Sequence, residues 1–432
     1  MNKINADIAF AYLFQTANAG LTFISSILVA RLLGLVYNGE YAIYTSALLI
    51  LNVWFGFGLP GSIVHLVAAG KVNADKLRNS AYLFSMTAGI VVLGLLYLLD
   101  IFHASGLVFP VGKDSGFWKF IFIIQFSIGI LNGVLVAFAN ARQLFFKSGL
   151  ITLLSSGTLL ILLILYKLEI VYINSLDAFS FVVGASVAAG LVQIIGAWAL
   201  LRSEAIPKPN AGMLDLKSFG IVLQMALLVW LCNGIQMLNY RTDYWILDHF
   251  QGARATSLYA VGSSLAQLIR MFPTVVATVL VSHLSQSKQT DSVPATIRYL
   301  RAALGISALT GILAMVVLYP LIPLIYGSDF TEVRAILAPL FIGVTIFTIP
   351  IIFAAYFVSI GAVRINLFAS ILVFLVGLCL DFMLIPTYSL KGAVFASVGA
   401  YFAGAIYHLY VFCKRNRLQL FDLFFLPQNR FL

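Results

Sequence analysis

Of the 432 residues, 61% are apolar and 10% are charged, against about 45–50% and about 25% in an ordinary soluble domain. That excludes a water-soluble globule, and at about 30 residues per crossing and connection the length accommodates about a dozen membrane spans. The net charge of +10 reads first as a topology signal, not as a nucleic-acid footprint, and no nucleic-acid partner is expected.

Taken in chain order, apolar runs long enough to cross a bilayer predict spans at 8–30, 40–69, 80–102, 117–139, 149–166, 178–201, 219–240, 256–284, 302–323, 335–358, 365–385 and 392–413. The expected fold class is an all-α integral membrane protein of twelve transmembrane helices. Residues 1–205 form a first group of six spans, 206–218 a cytoplasmic linker, and 219–432 a second group of six with a short cytoplasmic tail. Connections are marked by Gly, Pro, Asn and charge, as from Lys71 to Arg78 and from Pro207 to Gly212. Ala17-Asn18-Ala19 resembles a signal-peptidase site, but the apolar character continues to Ala30, so an uncleaved first span is expected. An even number of spans places both termini on one side. That side collects 17 of the 26 Lys and Arg, eight lie opposite, and Arg270 falls inside a span. Both termini are therefore expected in the cytoplasm.

The two halves echo each other. Tyr41 to Leu48 answers Tyr259 to Ala266 at an offset of 218, Arg31 answers Arg241 at 210, and Ala139 to Arg142 answers Gly361 to Arg364 at 222. Three matches in one order read as a duplication with small insertions. Because each half has an even number of spans, the repeats are parallel, related by an axis along the membrane normal, a construction used by secondary transporters.

Ionisable and amide groups inside spans are costly and mark candidate sites. Arg270 lies near the middle of span 8, and Tyr259, Ser263, Gln267 and Arg270 share one helical face. Asn52 in span 2 is its repeat mate. The alternative for Arg270 is a helix–helix contact neutralised by a carboxylate. Span 7 presents Asn233, Gln236, Asn239, Tyr240 and Asp243 at spacings of three and four; Asp243 could pair with Arg270, take a proton or cation, or sit at the outer interface. Span 1 carries Gln15, Asn18, Thr22 and Ser25, and Arg31 points away from that stripe. Asp381 and Lys391 bracket Pro386 and read as solvated helix-end charges. Cys232, Cys379 and Cys413 read as small core residues, and the five His have no ligand spacing. No phosphate loop, metalloprotease motif or Cys-x-x-Cys is present in the sequence, so neither an enzyme nor a cofactor is expected.

Ala30-Arg31-Leu32-Leu33-Gly34, Gly39-Glu40-Tyr41 and Phe55-Gly56-Phe57-Gly58-Leu59, then Arg241-Thr242-Asp243 and Leu258-Tyr259-Ala260, then Asp381 to Tyr388 and Lys391 to Ser397, resemble in their order the polysaccharide flippases. These are the O-antigen and capsule branch of the multidrug/oligosaccharidyl-lipid/polysaccharide (MOP) exporter superfamily. The family more often has Asn at the place of Asp381 and Gly at the place of Ser389.

The resemblance implies two six-helix bundles around a central cavity in a bacterial cytoplasmic membrane, alternately open to either side. The implied substrate is an undecaprenyl-diphosphate-linked oligosaccharide moved between leaflets, with polysaccharide polymerase machinery as a partner beside membrane lipid. A diphosphate needs cations, supplied by Arg270 with Arg31 and Arg241. The amides Asn18, Asn52, Gln236, Asn239 and Gln267, with the Tyr259 ring, suit sugar hydroxyls and ring faces. Energy would come from an H+ or Na+ gradient, with Asp243 as the coupling group. The main rival is a multidrug or small-metabolite exporter of the same superfamily. A lipid II flippase usually carries two further spans, and a receptor without transport leaves the polar stripes unexplained.

Overall fold

The structure, a computed structural model, describes residues 3–68, 74–170, 177–203, 216–286 and 292–425. Most of the linker expected at 206–218 lies outside them. The elements are α1 (Lys3–Gly56), α2 (Leu59–Ala68), α3 (Ala74–Ile101), α4 (Gly116–Ala141), α5 (Phe145–Lys167), α6 (Ala178–Ser203), α7 (Leu216–Gln286), α8 (Ser292–Tyr326), α9 (Arg334–Ser359), α10 (Val363–Asn416) and the short α11 (Leu420–Phe425). Among the described residues nine helices are long and apolar enough to cross a membrane. Three of these, α1, α7 and α10, are each two helices joined at one non-helical residue: Gly34, Gly252 and Ser389. Twelve crossing segments result, as the sequence predicts.

A one-residue reversal needs a left-handed backbone, which Gly adopts without a Cβ clash. Gly34 has φ 68° and Gly252 φ 78°. Ser389 holds φ 57° with help: its Oγ donates to Gln251 Oε1 at 2.6 Å, and Gln251 Nε2 donates to the Ile385 carbonyl.

These turns reset the repeat register. Gly34 and Gly252 are 218 residues apart, as are the left-handed Gln143 and Gly361. The starts of α3 and α8, both ends of α4 and α9, and the starts of α5 and α10 obey the same offset. The expected offsets of 210 and 222 are therefore corrected to 218. Arg31 answers His249 instead of Arg241, Ser25 answers Asp243, Asn18 answers Gln236, and the pairing of Asn52 with Arg270 is kept. Short apolar-rich matches slide easily; helix ends do not, because turn geometry pins them.

Span 2 departs from expectation. It is interrupted between α1 and α2 at Phe57 (φ 47°) and Gly58 (φ 64°). A left-handed aromatic residue costs about 1–2 kcal/mol. Phe57 sits stacked on Trp230 at 4.7 Å and edge-on to Phe84. Pro60 lies in the first turn of α2, where its missing N–H is tolerated.

The chain divides into two compact units, Met1–Met237 and Leu238–Leu432, so the division falls inside α7. In the first, α1 packs on α5, α2 on α4, and α6 on α4 and α5. Tyr44 is fully buried among Phe109, Phe122 and Phe179 and donates to Gln125 Oε1 at 2.5 Å; Gln125 Nε2 donates in turn to Ser186 Oγ. Such contacts matter because lipid tails remove the hydrophobic drive between helices, leaving packing and hydrogen bonds. In the second unit α9 packs against α8 and α10, with Phe353, Phe357 and Phe412 in its core. Of the cysteines only Cys413 is buried; Cys232 is intermediate, and Cys379 is exposed on a span face, correcting its reading as a core residue.

Candidate functional site

In the second unit the polar stripe of span 7 meets residues that sequence reading had left apart. Asp243 is buried, and its Oδ2 accepts the phenol proton of Tyr259; Tyr259 Oη lies 2.7 Å from Ser397 Oγ. Asp381 is buried as well, which overturns its reading as a solvated helix-end charge. The turn of the hairpin lies at Ser389, eight residues further on, so Asp381 sits about 12 Å inside the helix end. Asp243 is similarly about 13 Å from its turn at Gly252. Lys391, beyond the turn, is exposed as expected.

The two carboxylates line one small cavity of about 20 Å³ together with Asn239, Thr242, Ser397 and Tyr401. Oδ1 of each Asp is buried with no hydrogen-bond partner. A cavity of this size holds about one water. It has room for one small cation or one water and not for an organic molecule.

Arg270 lies elsewhere on α7. Eleven residues from Tyr259, it is about 16 Å away along the helix, so the predicted face does not form one site. Among the described residues Arg270 makes no ion pair; the pairs observed are Lys113 with Asp177, Lys119 with Asp100 and Arg254 with Glu332. Among the described residues no carboxylate, Asp243 included, neutralises it. Its guanidinium rests instead over the Tyr240 ring, 4.3 Å from the centroid. Tyr240 meets Phe347 edge-on, and Phe347 meets Tyr401 at 4.5 Å. Three aromatic rings thus lead from the half-buried cation to the wall of the acidic cavity.

Residues 4–288 match the family model described as polysaccharide biosynthesis protein. The chain belongs to that family. Solved structures similar to it include a lipid II flippase, MurJ, in an inward closed conformation (18% identity, TM-score 0.74, covering 95% of this chain and 89% of that one). An inward-facing multidrug resistance MATE family transporter of the MOP superfamily follows (14%, TM-score 0.70, 92% and 94%). A MOP superfamily transporter from Pyrococcus furiosus with a binding pocket of reverse polarity gives 16%, TM-score 0.67, 96% and 95%. No match was found among curated protein sequences. The fold is that of these transporters, and the chain is a multi-pass membrane protein.

The remaining candidates are dispersed. Asn18 Oδ1 accepts from Ser156 Oγ at 2.5 Å, tying α1 to α5. Arg31 is exposed, and Gln236 is half-buried. Gln267 is exposed on α7, and Asn239 Nδ2 donates to the Ser370 carbonyl at 3.2 Å. The Arg241 guanidinium lies 5.2 Å from the Tyr244 ring centre. Asn52 lines a larger cavity in the first unit. Ser397 and Tyr401 were not singled out from sequence; their spacing of four on one helical face was the available signal.

Proposed function

We propose that the chain is a flippase moving undecaprenyl-diphosphate-linked oligosaccharide repeat units from the cytoplasmic to the outer leaflet by alternating access, driven by an H+ or Na+ gradient. The observation that carries this reading is Arg270: a guanidinium deep in a span, on an aromatic platform, with no carboxylate among the described residues paired to it. A half-buried cation inside a span without a counter-charge is costly unless an anion arrives, and a guanidinium fork matches diphosphate oxygens. Arg31 and Arg241 are further cations on the path, with Asn18, Asn52, Gln236 and Gln267 as amides for sugar hydroxyls. Residues 1–205 and 219–432 act as the moving bundles, with both termini in the cytoplasm of a bacterial cell, and the product passes to polymerase machinery at the outer face.

Asp243 is the coupling group in this reading, joined by Asp381. Tyr259 and Asn239 serve that ion site instead of the glycan. The acidic cavity is also the feature that favours the second reading, an exporter of cationic drugs or small metabolites. Its volume argues against that use: about 20 Å³ compares with about 300–1,000 Å³ for pockets that bury a drug-sized ligand.

Deleting the gene tests the choice. Accumulation of lipid-linked repeat units and loss of surface glycan, restored by wild type and not by Arg270→Ala, is the expected result. An unchanged glycan profile in a strain without redundant flippases would favour the exporter.

A further inference from the structure

The acidic cavity and Arg270 both lie in the second unit, at the two ends of one packed run of side chains. Tyr401 is a wall of the cavity, and its ring meets Phe347 at 4.5 Å. Phe347 meets Tyr240 edge-on at 6.3 Å and 78°, and Tyr240 carries the guanidinium of Arg270. Phe347 is buried and lines no part of the cavity, so it is purely the link. There is little slack in this run. One turn before Phe347, Gly343 lets α9 lie against α10: an added Cβ would stand 2.7 Å from Val398 Cγ2 and 3.6 Å from Tyr401 Cδ2. Side chains packed this closely are nearly incompressible and pass a displacement on.

The fold does not require these side chains, as the repeat demonstrates. At the offset of 218, Tyr240 answers Thr22, Phe347 answers Gly129 and Arg270 answers Asn52, while Asp243 and Asp381 answer Ser25 and Leu163. The first unit therefore builds matching helices without the platform, its packing partner, the cation or the two acids. All five are present together in one repeat and replaced together in the other, as parts of one device would be.

The cavity is the end that a ligand can perturb. Oδ1 of Asp243 on span 7 and Oδ1 of Asp381 on span 11 have no hydrogen-bond partner, and Ser397 and Tyr401 on span 12 close the same space. A cation entering it draws carboxylates from two helices toward one point, against the wall that Tyr401 forms. In the flippase reading the substrate leaves the cytoplasm while the ion runs down its gradient into it. Two ligands carried in opposite directions by alternating access must not load together, so each has to weaken the other.

We propose that Phe347 and Tyr401 are positioning residues that couple the two sites: a cation between Asp243 and Asp381 displaces Tyr401, Phe347 passes the displacement to Tyr240, and the platform withdraws Arg270 from the diphosphate. The inference rests on the flippase reading and deepens it by naming what makes ion and substrate exclude each other. Tyr240 is also three residues from Asp243 on α7, so the helical turn between them is the competing route.

The test uses the full chain in nanodiscs of zwitterionic lipid, with undecaprenyl diphosphate as the anionic probe. Its affinity is measured in sodium chloride and in choline chloride of equal ionic strength, and in choline chloride at neutral and mildly acidic pH; choline is too large for a cavity of about 20 Å³. The readout is the coupling factor, the ratio of probe affinities without and with sodium or protons, which does not depend on the active fraction. A variant carrying both Asp243→Asn and Asp381→Asn reports the effect of the medium on the probe alone, and every factor is read relative to it. Wild type is expected to give a factor of about ten with one of the two cations, and the probe should weaken that cation by the same factor. Phe347→Leu and Phe347→Met remove the ring and keep most of the volume. Both should bring the factor close to one while the affinity for each ligand alone stays near wild type. A wild-type factor in both variants overturns the relay, assigns coupling to the turn of α7 between Tyr240 and Asp243, and leaves the flippase reading standing. Loss of affinity for either ligand alone in both variants also overturns it and makes Phe347 a structural residue. A factor of one in wild type with both cations overturns the relay and leaves the anion site at Arg270 standing. Failure of wild type to bind the probe more tightly than Arg270→Ala overturns the flippase reading and the relay together.

Discussion

Arg270 is the residue whose replacement separates a transport role from a structural one. Its guanidinium stacks on Tyr240 at 4.3 Å and makes no ion pair among the described residues. Removing it therefore leaves no buried carboxylate orphaned, and the stability loss is limited to the cation–ring contact, about 0.5–2 kcal/mol. The loss in transport is larger. One charge-assisted hydrogen bond contributes about 1.5–3 kcal/mol, and a fork that engages two oxygens makes two. Arg270→Ala should then reduce transfer of the lipid-linked saccharide by about 100-fold or more, at about 1.4 kcal/mol per factor of ten. Arg270→Lys keeps the charge but not the fork and should lose about tenfold. Tyr240→Phe keeps the ring and should stay near wild type, whereas Tyr240→Leu removes the platform and should fall with Arg270→Lys. The assay is transfer in proteoliposomes, paired with protein abundance and surface glycan in a deletion strain. Wild-type transfer by Arg270→Ala at normal abundance would refute the cationic site. Loss of abundance with normal transfer per molecule would make Arg270 a structural residue.

Asp243→Asn removes the ionisable group but keeps the shape of the small acidic cavity, so stimulation of transfer by an imposed H+ or Na+ gradient should disappear. A gradient response that persists in both Asp243→Asn and Asp381→Asn places coupling elsewhere. Ser389 offers a test of the hairpin between the last two spans. Ser389→Ala keeps the left-handed backbone and loses the bond to Gln251, costing about 1 kcal/mol. Ser389→Gly loses the same bond but relieves about 1–2 kcal/mol of left-handed strain. The Gly variant should therefore be more stable than the Ala variant by about 1–2 kcal/mol in detergent unfolding, and an Ala variant of equal stability would contradict the strain argument.

The twelve spans, most of their ends and the duplication were legible in the sequence, because lipid demands about 20 apolar residues per helix and connections break that pattern; the exceptions are span 7, expected to end at 240 and continuing to the turn at Gly252, and span 9, expected to start at 302 and starting at Ser292. The pairing of Asn52 with Arg270 was legible for the same reason: both lie in the best-matched stretch. The register of the other pairs was not. Apolar residues substitute freely for one another, so Arg31 seemed to answer Arg241 until the left-handed turns at Gly34 and Gly252 set the offset. Asp381 marks the other limit. From sequence it stood near Pro386 as a helix-end charge; in the structure the reversal at Ser389 moves it two turns inward, beside Asp243 from a helix more than a hundred residues away. The interruption at Phe57 and the cavity behind it belong to the same class. Composition and period determine what can lie in a membrane and for how long. Which buried polar atoms meet, and which are left without a partner, depends on turns of one residue and on packing between distant helices, and those the tertiary structure alone decided.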